Sequence, residues 1–201
     1  MSVVAVVLAA GQGSRFGADK RCAPLADGRS LLAHSVANAW AVFEEVRVVL
    51  REGERPEAFG LPGDCRVVYS PDAALGMGSS LASGVASLAD STAQAVAILL
   101  GDMPWIAPTT LEQLADAATR STILFPRHQG RQGHPVLFGR AFWPELGRLT
   151  GDQGARAVVQ ARRHQCVGLA VDDPGVLRDV DTAQQLISAA PQPWPHWNRP
   201  G

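Results

Sequence analysis

The chain has 201 residues, of which 18% are charged, and its formal net charge at pH 7 is −1. This length suits one well-cored domain, and the near-neutral charge gives no general attraction for nucleic acid or for an acidic membrane surface. Any anionic ligand must therefore be held by a local site, and neither a nucleic acid nor a membrane is expected as a partner.

The first predicted element is a continuously apolar strand, Val3–Leu8, which runs into a glycine-punctuated loop that carries Arg15 and Lys20. Such a loop brings backbone N–H groups and two cations together, as a polyphosphate requires. Phe16 stands where both a Walker loop and a dinucleotide-binding fingerprint need a glycine, so the loop belongs to neither class. An ordinary surface loop after a buried strand is the alternative.

Apolar runs and helical patterns then alternate along the chain. Three helices are predicted from apolar residues at helical spacing, namely Leu32, Val36, Ala39 and Phe43, then Leu81, Val85 and Leu88, then Leu111, Leu114 and Ala118. Further strands are predicted at 46–50, 66–69, Ala95–Leu100, 122–125 and 135–138. This order predicts a doubly wound, mostly parallel α/β sheet in a single domain, with ligands at the carboxyl ends of the strands.

From Gly130 the elements become shorter, and we interpret them as an elaboration of the same domain that ends in a helix over about 182–189. The domain is then 1–190, and 191–201 form an extended or poorly ordered tail rich in proline and tryptophan.

The cysteines and the apolar runs indicate a cytoplasmic protein. Cys22, Cys65 and Cys166 are odd in number and lack the spacing of a metal site, so we expect reduced, buried thiols. No apolar run reaches the roughly 18 residues that span a bilayer, and the start lacks the basic flank of a signal peptide.

A second chemical signal is Gly101-Asp102-Met103-Pro104, directly after the most apolar internal strand. An aspartate at that end of a buried strand stands where doubly wound proteins bind ligands, although Asp is also a common turn residue. The cations of the first loop should then face Asp102 across a gap the width of a triphosphate.

Together these segments resemble the molybdenum-cofactor cytidylyltransferase-like group of nucleotidyltransferases, whose members open with LAAGxSxRMGxxK and carry GDMP. Phe16 replaces the usual Met, and Arg21 begins a segment that is usually aliphatic. Later segments resemble the group's GMxxSL, GHPVLF, GDxGAR and DxDTPEDL motifs, in the same order, and the likeness extends to about Ala190.

The resemblance implies a role for residues in each motif. Arg15, Lys20 and Asp102 would be catalytic, and Mg²⁺ would bind Asp102 and Asp181. The nucleotide would contact Leu8, Ala9, Ala10, Gly11, Arg15, Lys20, Gly76, Ser80 and Asp102, and the acceptor would contact Arg131, His134 and Arg156.

Four of the motif residues also have structural interpretations. Asp181 fits the N-cap of the last helix as well as a metal ligand. Ser79 suits a helix cap, and His134 suits a structural position before a proline. Asp152 is interpreted as the cap of the helix over 155–161.

The activity implied by the resemblance is nucleotidyl transfer, in which a terminal phosphate of the acceptor attacks the α-phosphorus and pyrophosphate leaves. Relatives with LAAG tend to use CTP and those with LAGG tend to use GTP, so the resemblance implies CTP. The Cβ of Ala10 would narrow the base pocket. The implied acceptor is molybdopterin bearing its metal, and a molybdoenzyme is the candidate client. The alternatives are a GTP-using guanylyltransferase, a sugar-phosphate nucleotidylyltransferase and, from another class, a non-catalytic cofactor carrier.

Overall fold

The structure is a computed structural model that describes residues 2–11, 19–182 and 185–186. Arg15, the predicted tail at 191–201 and most of the predicted last helix lie outside the described residues.

The described part of the chain contains eight strands: β1 (Val3–Leu8), β2 (Val46–Arg51), β3 (Val67–Ser70), β4 (Ala95–Leu100), β5 (Ile123–His128), β6 (Arg131–Gln132), β7 (Val136–Gly139) and β8 (Cys166–Ala170). They form one sheet in the order β3-β2-β1-β4-β7-β5-β6, with β8 paired to β5. The first four strands are parallel, and β7 runs antiparallel between β4 and β5. The predicted mostly parallel α/β fold is confirmed.

The helices in the described ranges are α1 (Leu31–Trp40), α2 (Met77–Ala86), α3 (Pro108–Ala117), α4 (Trp143–Leu146) and α5 (Arg156–Ala161). Pro108 is the first residue of α3, where its missing N–H breaks no helical hydrogen bond. Among the described residues no helix is long and apolar enough to cross a membrane.

All six predicted strands are present, but β6, β8 and α4 are missed. The strand β6 has two residues, and β8 is mostly exposed with Gly168 at its centre, so neither has the apolar pattern that predicts a strand. The prediction of buried thiols is correct for Cys65 and wrong for Cys22, which is exposed, and for Cys166, which is half-buried; all three are free.

Helices cover both faces of the sheet. Successive residues of β1 point to opposite faces, so this strand contributes side chains to both cores. Ala5, Val7 and Ala9 pack in one core with α1 and α3. Val4, Val6 and Leu8 pack in a second core with α2 and α4. The three helical faces predicted from the sequence are all buried in these cores.

The chain changes its direction along the sheet between β1 and β4. The strands β2 and β3 follow β1 on one side, and β4 then pairs with β1 on its other side. A crevice opens outside the carboxyl ends of two strands at such a point, and ligands of doubly wound proteins bind there. Lys20 follows β1 and Asp102 follows β4, so the topology places both at this crevice.

The helix α2 approaches the sheet closely at Gly84. A Cβ built there would lie 2.7 Å from Val6 Cγ1 and 3.0 Å from Val49 Cγ2. Both valines are buried and β-branched, so they have little freedom to move aside. We expect Gly84→Ala to lower the free energy of unfolding in urea by about 1–3 kcal/mol through overpacking, although Ala is about 1 kcal/mol better than Gly in a helix.

Gly147→Ala is the matched control for this substitution. Its φ is −67°, and the nearest atom to an added Cβ is 3.5 Å away. The same change there should leave stability unchanged or raise it by about 0.4–1 kcal/mol. An equal loss in both variants would contradict the packing explanation.

Candidate functional site

The two chemical segments predicted from the sequence meet at the crevice. Lys20 Nζ lies 2.7 Å from Asp102 Oδ2 and 3.5 Å from Asp181 Oδ1. It also donates a hydrogen bond of 3.0 Å to the Val180 carbonyl. The expected gap between cation and acid is wrong, since the two groups are in direct contact. A triphosphate therefore comes between them only if the Lys20 side chain moves.

Lys20 has the most buried side chain of the three residues in this cluster. Its side chain is 16% exposed, against 24% for Asp102 and 48% for Asp181. Burial lowers the pKa of Lys20. The hydrogen bonds and charges of Asp102 and Asp181 together raise this pKa by more, so the net shift is upward. At neutral pH the cluster therefore holds one positive charge between two carboxylates.

The turn that carries Asp102 is fixed by side chains of α1. Ser35 Oγ donates to the Gly101 carbonyl at 3.1 Å, and Asn38 Nδ2 donates to the Pro104 carbonyl at 2.7 Å. Both side chains are buried, so these bonds satisfy polar groups that water does not reach. The Asp102 carboxylate thus stands on a well-anchored backbone.

A cavity of about 390 Å³ opens beside the ion pair. It is lined by every predicted nucleotide contact within the described residues: Leu8, Ala9, Ala10, Gly11, Lys20, Gly76, Ser80 and Asp102. Arg15 lies outside the described residues. The structure brings the other residues together, and their binding of a nucleotide stays a prediction.

The cavity also reaches Asp152, whose predicted role as a helix cap is wrong. The N-cap of α5 is Ala155, and no side chain caps it. Asp152 instead lies against Gly76, where an added Cβ would collide with its carboxylate. Gly78 N donates to the Gly151 carbonyl at 2.7 Å, which ties this loop to the start of α2. The contact joins distant parts of the chain, and no local pattern signals it.

Arg21, which the sequence marks only as a departure from the family pattern, forms a buried clamp. Its Nε and Nη2 donate to Asp19 at 2.8 and 2.6 Å, and its Nη1 and Nη2 donate to Glu54 at 2.9 and 2.5 Å. Nη1 also donates to the Ala9 carbonyl at 2.6 Å. The guanidinium carbon lies 4.3 Å from the centre of the Phe59 ring.

This clamp joins the two ends of the glycine loop, since Ala9 precedes the loop and Asp19 follows it. All five N–H groups of the guanidinium are used, so Arg21 has none left for a phosphate. The Arg21 hydrogen bond lowers the pKa of Asp19. Burial raises the pKa of Glu54, but the hydrogen bonds and charges of Arg21 and Arg51 together lower it by more. Arg21 is therefore a positioning residue beside Lys20.

The three predicted acceptor contacts do not line the cavity formed by the described residues. Arg131 on β6 and Arg156 at the start of α5 are exposed. His134 Nδ1 is buried and has no hydrogen-bond partner among the described residues. Burial lowers the pKa of His134 although Asp102 and Asp179 act to raise it, so the ring is neutral at pH 7. The acceptor role of all three stays a prediction.

The carboxylate of Asp181 faces Lys20, and its backbone is held separately. Gln185 Oε1 accepts hydrogen bonds from the N–H groups of Asp181 and Thr182, at 2.7 and 2.8 Å. A capping carboxylate would accept from residues 183 and 184, which lie outside the described residues. The contact that the structure describes for this carboxylate is the ion pair with Lys20.

Asp102 and Asp181 fit a divalent cation. Oxygens of both carboxylates already converge on one ammonium, which acts as a stand-in cation. One or two carboxylates together with phosphate oxygens and waters is the usual Mg²⁺ arrangement. Within the described residues no group of three or more His, Cys, Asp or Glu side chains could hold a metal. This donor set suits a cation that shares its coordination with a phosphate ligand.

A family model for the MobA-like NTP transferase domain matches residues 5–167. The chain belongs to this family. It is therefore a nucleotidyltransferase, and the resemblance found in its motifs is confirmed. The family generally uses a divalent metal, in agreement with the donor set of Asp102 and Asp181.

Similar proteins cover almost the whole chain. The purine catabolism protein PucB of Bacillus subtilis (strain 168) is 29% identical over 193 residues, which are 91% of this chain and 93% of PucB. A 2-C-methyl-D-erythritol 4-phosphate cytidylyltransferase of Cereibacter sphaeroides (strain ATCC 17023) is 29% identical over 171 residues, 82% of this chain and 72% of that protein.

The fold is shared with Rv0371c from Mycobacterium tuberculosis H37Rv. Its crystal structure gives a TM-score of 0.82 at 31% identity, over 94% of this chain and 98% of that chain. The structure of Rv0371c in complex with manganese gives a TM-score of 0.77, also at 31% identity, over 94% and 100% of the two chains.

The Arg21 clamp predicts a large effect on stability. Arg21→Leu leaves Asp19 and Glu54 without their buried partner, so we expect the free energy of unfolding to fall by about 3 kcal/mol. Urea denaturation measures the change. Arg66→Leu is the control, because its ion pair with Glu45 leaves the Arg66 side chain 68% exposed. That variant should change stability by less than about 1 kcal/mol. Similar losses in both variants would show that the clamp stabilises the fold no more than an exposed ion pair does.

Proposed function

We propose that this nucleotidyltransferase moves a CMP unit from CTP to the terminal phosphate of molybdopterin, with Mg²⁺ held by Asp102 and Asp181, and releases pyrophosphate. The observation that carries the proposal is the convergence of Lys20, Asp102 and Asp181 beside a cavity lined by the expected nucleotide contacts.

The chemistry needs positioning and charge neutralisation rather than a nucleophilic side chain. An ionised phosphate of the acceptor is already a nucleophile at neutral pH, so no acid–base relay is required. Lys20 donates hydrogen bonds to the triphosphate, and Arg15 supplies a second cation from the glycine loop. Mg²⁺, when bound, neutralises phosphate charge and polarises the α-phosphoryl group.

Two observations support CTP as the donor. Ala10 lines the cavity with its side chain buried, so its Cβ takes space from a larger base. The Cereibacter relative that spans 82% of this chain is a cytidylyltransferase of a phosphorylated alcohol. Molybdopterin as the acceptor is supported by the MobA-like family and by the LAAG and GDMP segments. Arg131, His134 and Arg156 are its proposed contacts.

The rival functions differ in what they consume. A guanylyltransferase would release pyrophosphate from GTP, and a sugar-phosphate enzyme would do so with a sugar phosphate as acceptor. A cofactor carrier would bind the finished dinucleotide cofactor and release none. Pyrophosphate release with each NTP and each acceptor separates them; we expect the highest rate with CTP, molybdopterin and Mg²⁺.

Asp102→Asn should lower the rate of pyrophosphate release about a hundredfold or more, as the loss of one electrostatic stabiliser does in other enzymes. Asp116→Asn is the control, because Asp116 is exposed on α3 and away from the cavity. Its rate should match that of the wild type. Thermal unfolding of both variants checks the fold, and normal turnover by folded Asp102→Asn would reject the assignment.

Ala10→Gly should shift the base preference toward GTP. Loss of one methyl group at the cavity wall is worth about 1–3 kcal/mol, so the ratio of kcat/KM for CTP over GTP should fall about tenfold or more. Ala5→Gly is the matched control, because Ala5 is buried in the core within β1 and does not line the cavity. An unchanged ratio in Ala10→Gly, or an equal change in both variants, would show that Ala10 does not select the base.

A further inference from the structure

We propose that the Lys20 ammonium occupies the metal position in the nucleotide-free protein, so that a divalent cation binds there only when the nucleotide draws Lys20 away. This inference rests on the proposed function, because it takes Asp102 and Asp181 as the metal ligands.

The geometry shows a cation site that is already filled. Lys20 Nζ lies 2.7 Å from Asp102 Oδ2, 3.0 Å from the Val180 carbonyl and 3.5 Å from Asp181 Oδ1. An ammonium has three N–H groups, and it meets three oxygens here. The Asp102 carboxylate is thus paired at short range with the Lys20 ammonium of the same chain.

The charges explain why the nucleotide and the metal should bind together. A divalent cation between Asp102 and Asp181 would meet the Lys20 charge at contact distance, where like charges repel strongly. A triphosphate offers Lys20 another set of anionic oxygens, to which the ammonium donates equally strong hydrogen bonds. The carboxylate oxygens are then available to the metal. By linkage, nucleotide and metal raise each other's affinity by the same factor.

The residue type suits this exchange. Of the 18 lysines and arginines in the chain, Lys20 is the one lysine. An ammonium is a compact charge on a flexible stem, whereas a guanidinium is a planar fork with fixed donor directions. The neighbouring Arg21 is clamped by Asp19 and Glu54. The backbone beside Lys20 is therefore held, and the exchange proceeds by rotation of its side chain.

The first test measures Mn²⁺ binding to the nucleotide-free protein by calorimetry. Lys20→Met should bind Mn²⁺ at least about tenfold more tightly than the wild type, because the competing charge is gone. Arg51→Met is the matched control: it also removes a cation, but one paired with Glu54 at 2.8 Å. Its Mn²⁺ affinity should equal that of the wild type. Equal affinities for wild type and Lys20→Met would overturn the inference, and Lys20→Gln repeats the test if the Met variant does not fold.

The second test follows the wild-type side chain directly. Lysine labelled with ¹³C at Cε gives one NMR signal from this chain, because Lys20 is its one lysine. Mg²⁺ alone should leave the signal in place, and CTP with Mg²⁺ at the same concentration should shift it. An equal shift with Mg²⁺ alone would overturn the inference.

The two proposals fail in different ways. If Lys20→Met gains Mn²⁺ affinity while no nucleotide moves the lysine signal and no pyrophosphate forms, Lys20 occupies a cation site and the proposed function is wrong. If pyrophosphate forms while wild type and Lys20→Met bind Mn²⁺ equally, the function stands and the inference is wrong.

Discussion

Partly buried ion pairs organise the candidate site of this protein. A charged side chain drawn into the protein surface needs an opposite charge or hydrogen bonds close by. Two consecutive residues, Lys20 and Arg21, meet this need with different partners, on two sides of the β1 end. Lys20 reaches Asp102, just beyond β4, and the segment 180–181, while Arg21 reaches Glu54, just beyond β2. Both cations line the cavity of the candidate site.

The two cations differ in what they leave available. Arg21 uses every donor on acceptors within the protein, including the Ala9 carbonyl at the cavity wall, so it sets the shape of the site. Lys20 also has its donors occupied, but its partners include two carboxylates suited to a metal, and its stem is flexible. Arg21 therefore acts as a fixed support and Lys20 as the group that exchanges partners.

The motifs predicted which segments line the cavity of the candidate site, because these segments lie at strand ends and at a helix start. Leu8 ends β1 and is followed by Ala9 to Gly11, Asp102 follows β4, and Gly76 and Ser80 lie at the start of α2. What the motifs did not predict are contacts between these segments. The ion pair between Lys20 and Asp102 has no gap, and Asp152 packs against Gly76 instead of capping α5. Such contacts depend on how the sheet, helices and loops pack together.

The sequence by itself determined the buried strands, the helical faces and the residue types at the strand ends, because periodicity and glycine, proline and charge spacing act over short stretches of chain. Only the tertiary structure decided which charges meet. Asp181 and Lys20 lie far apart in the chain. Their side chains come within 3.5 Å because Val180 N donates a hydrogen bond to the Asp102 carbonyl just beyond β4. An ion pair between distant residues has no local pattern, since it depends on where the backbone brings each side chain.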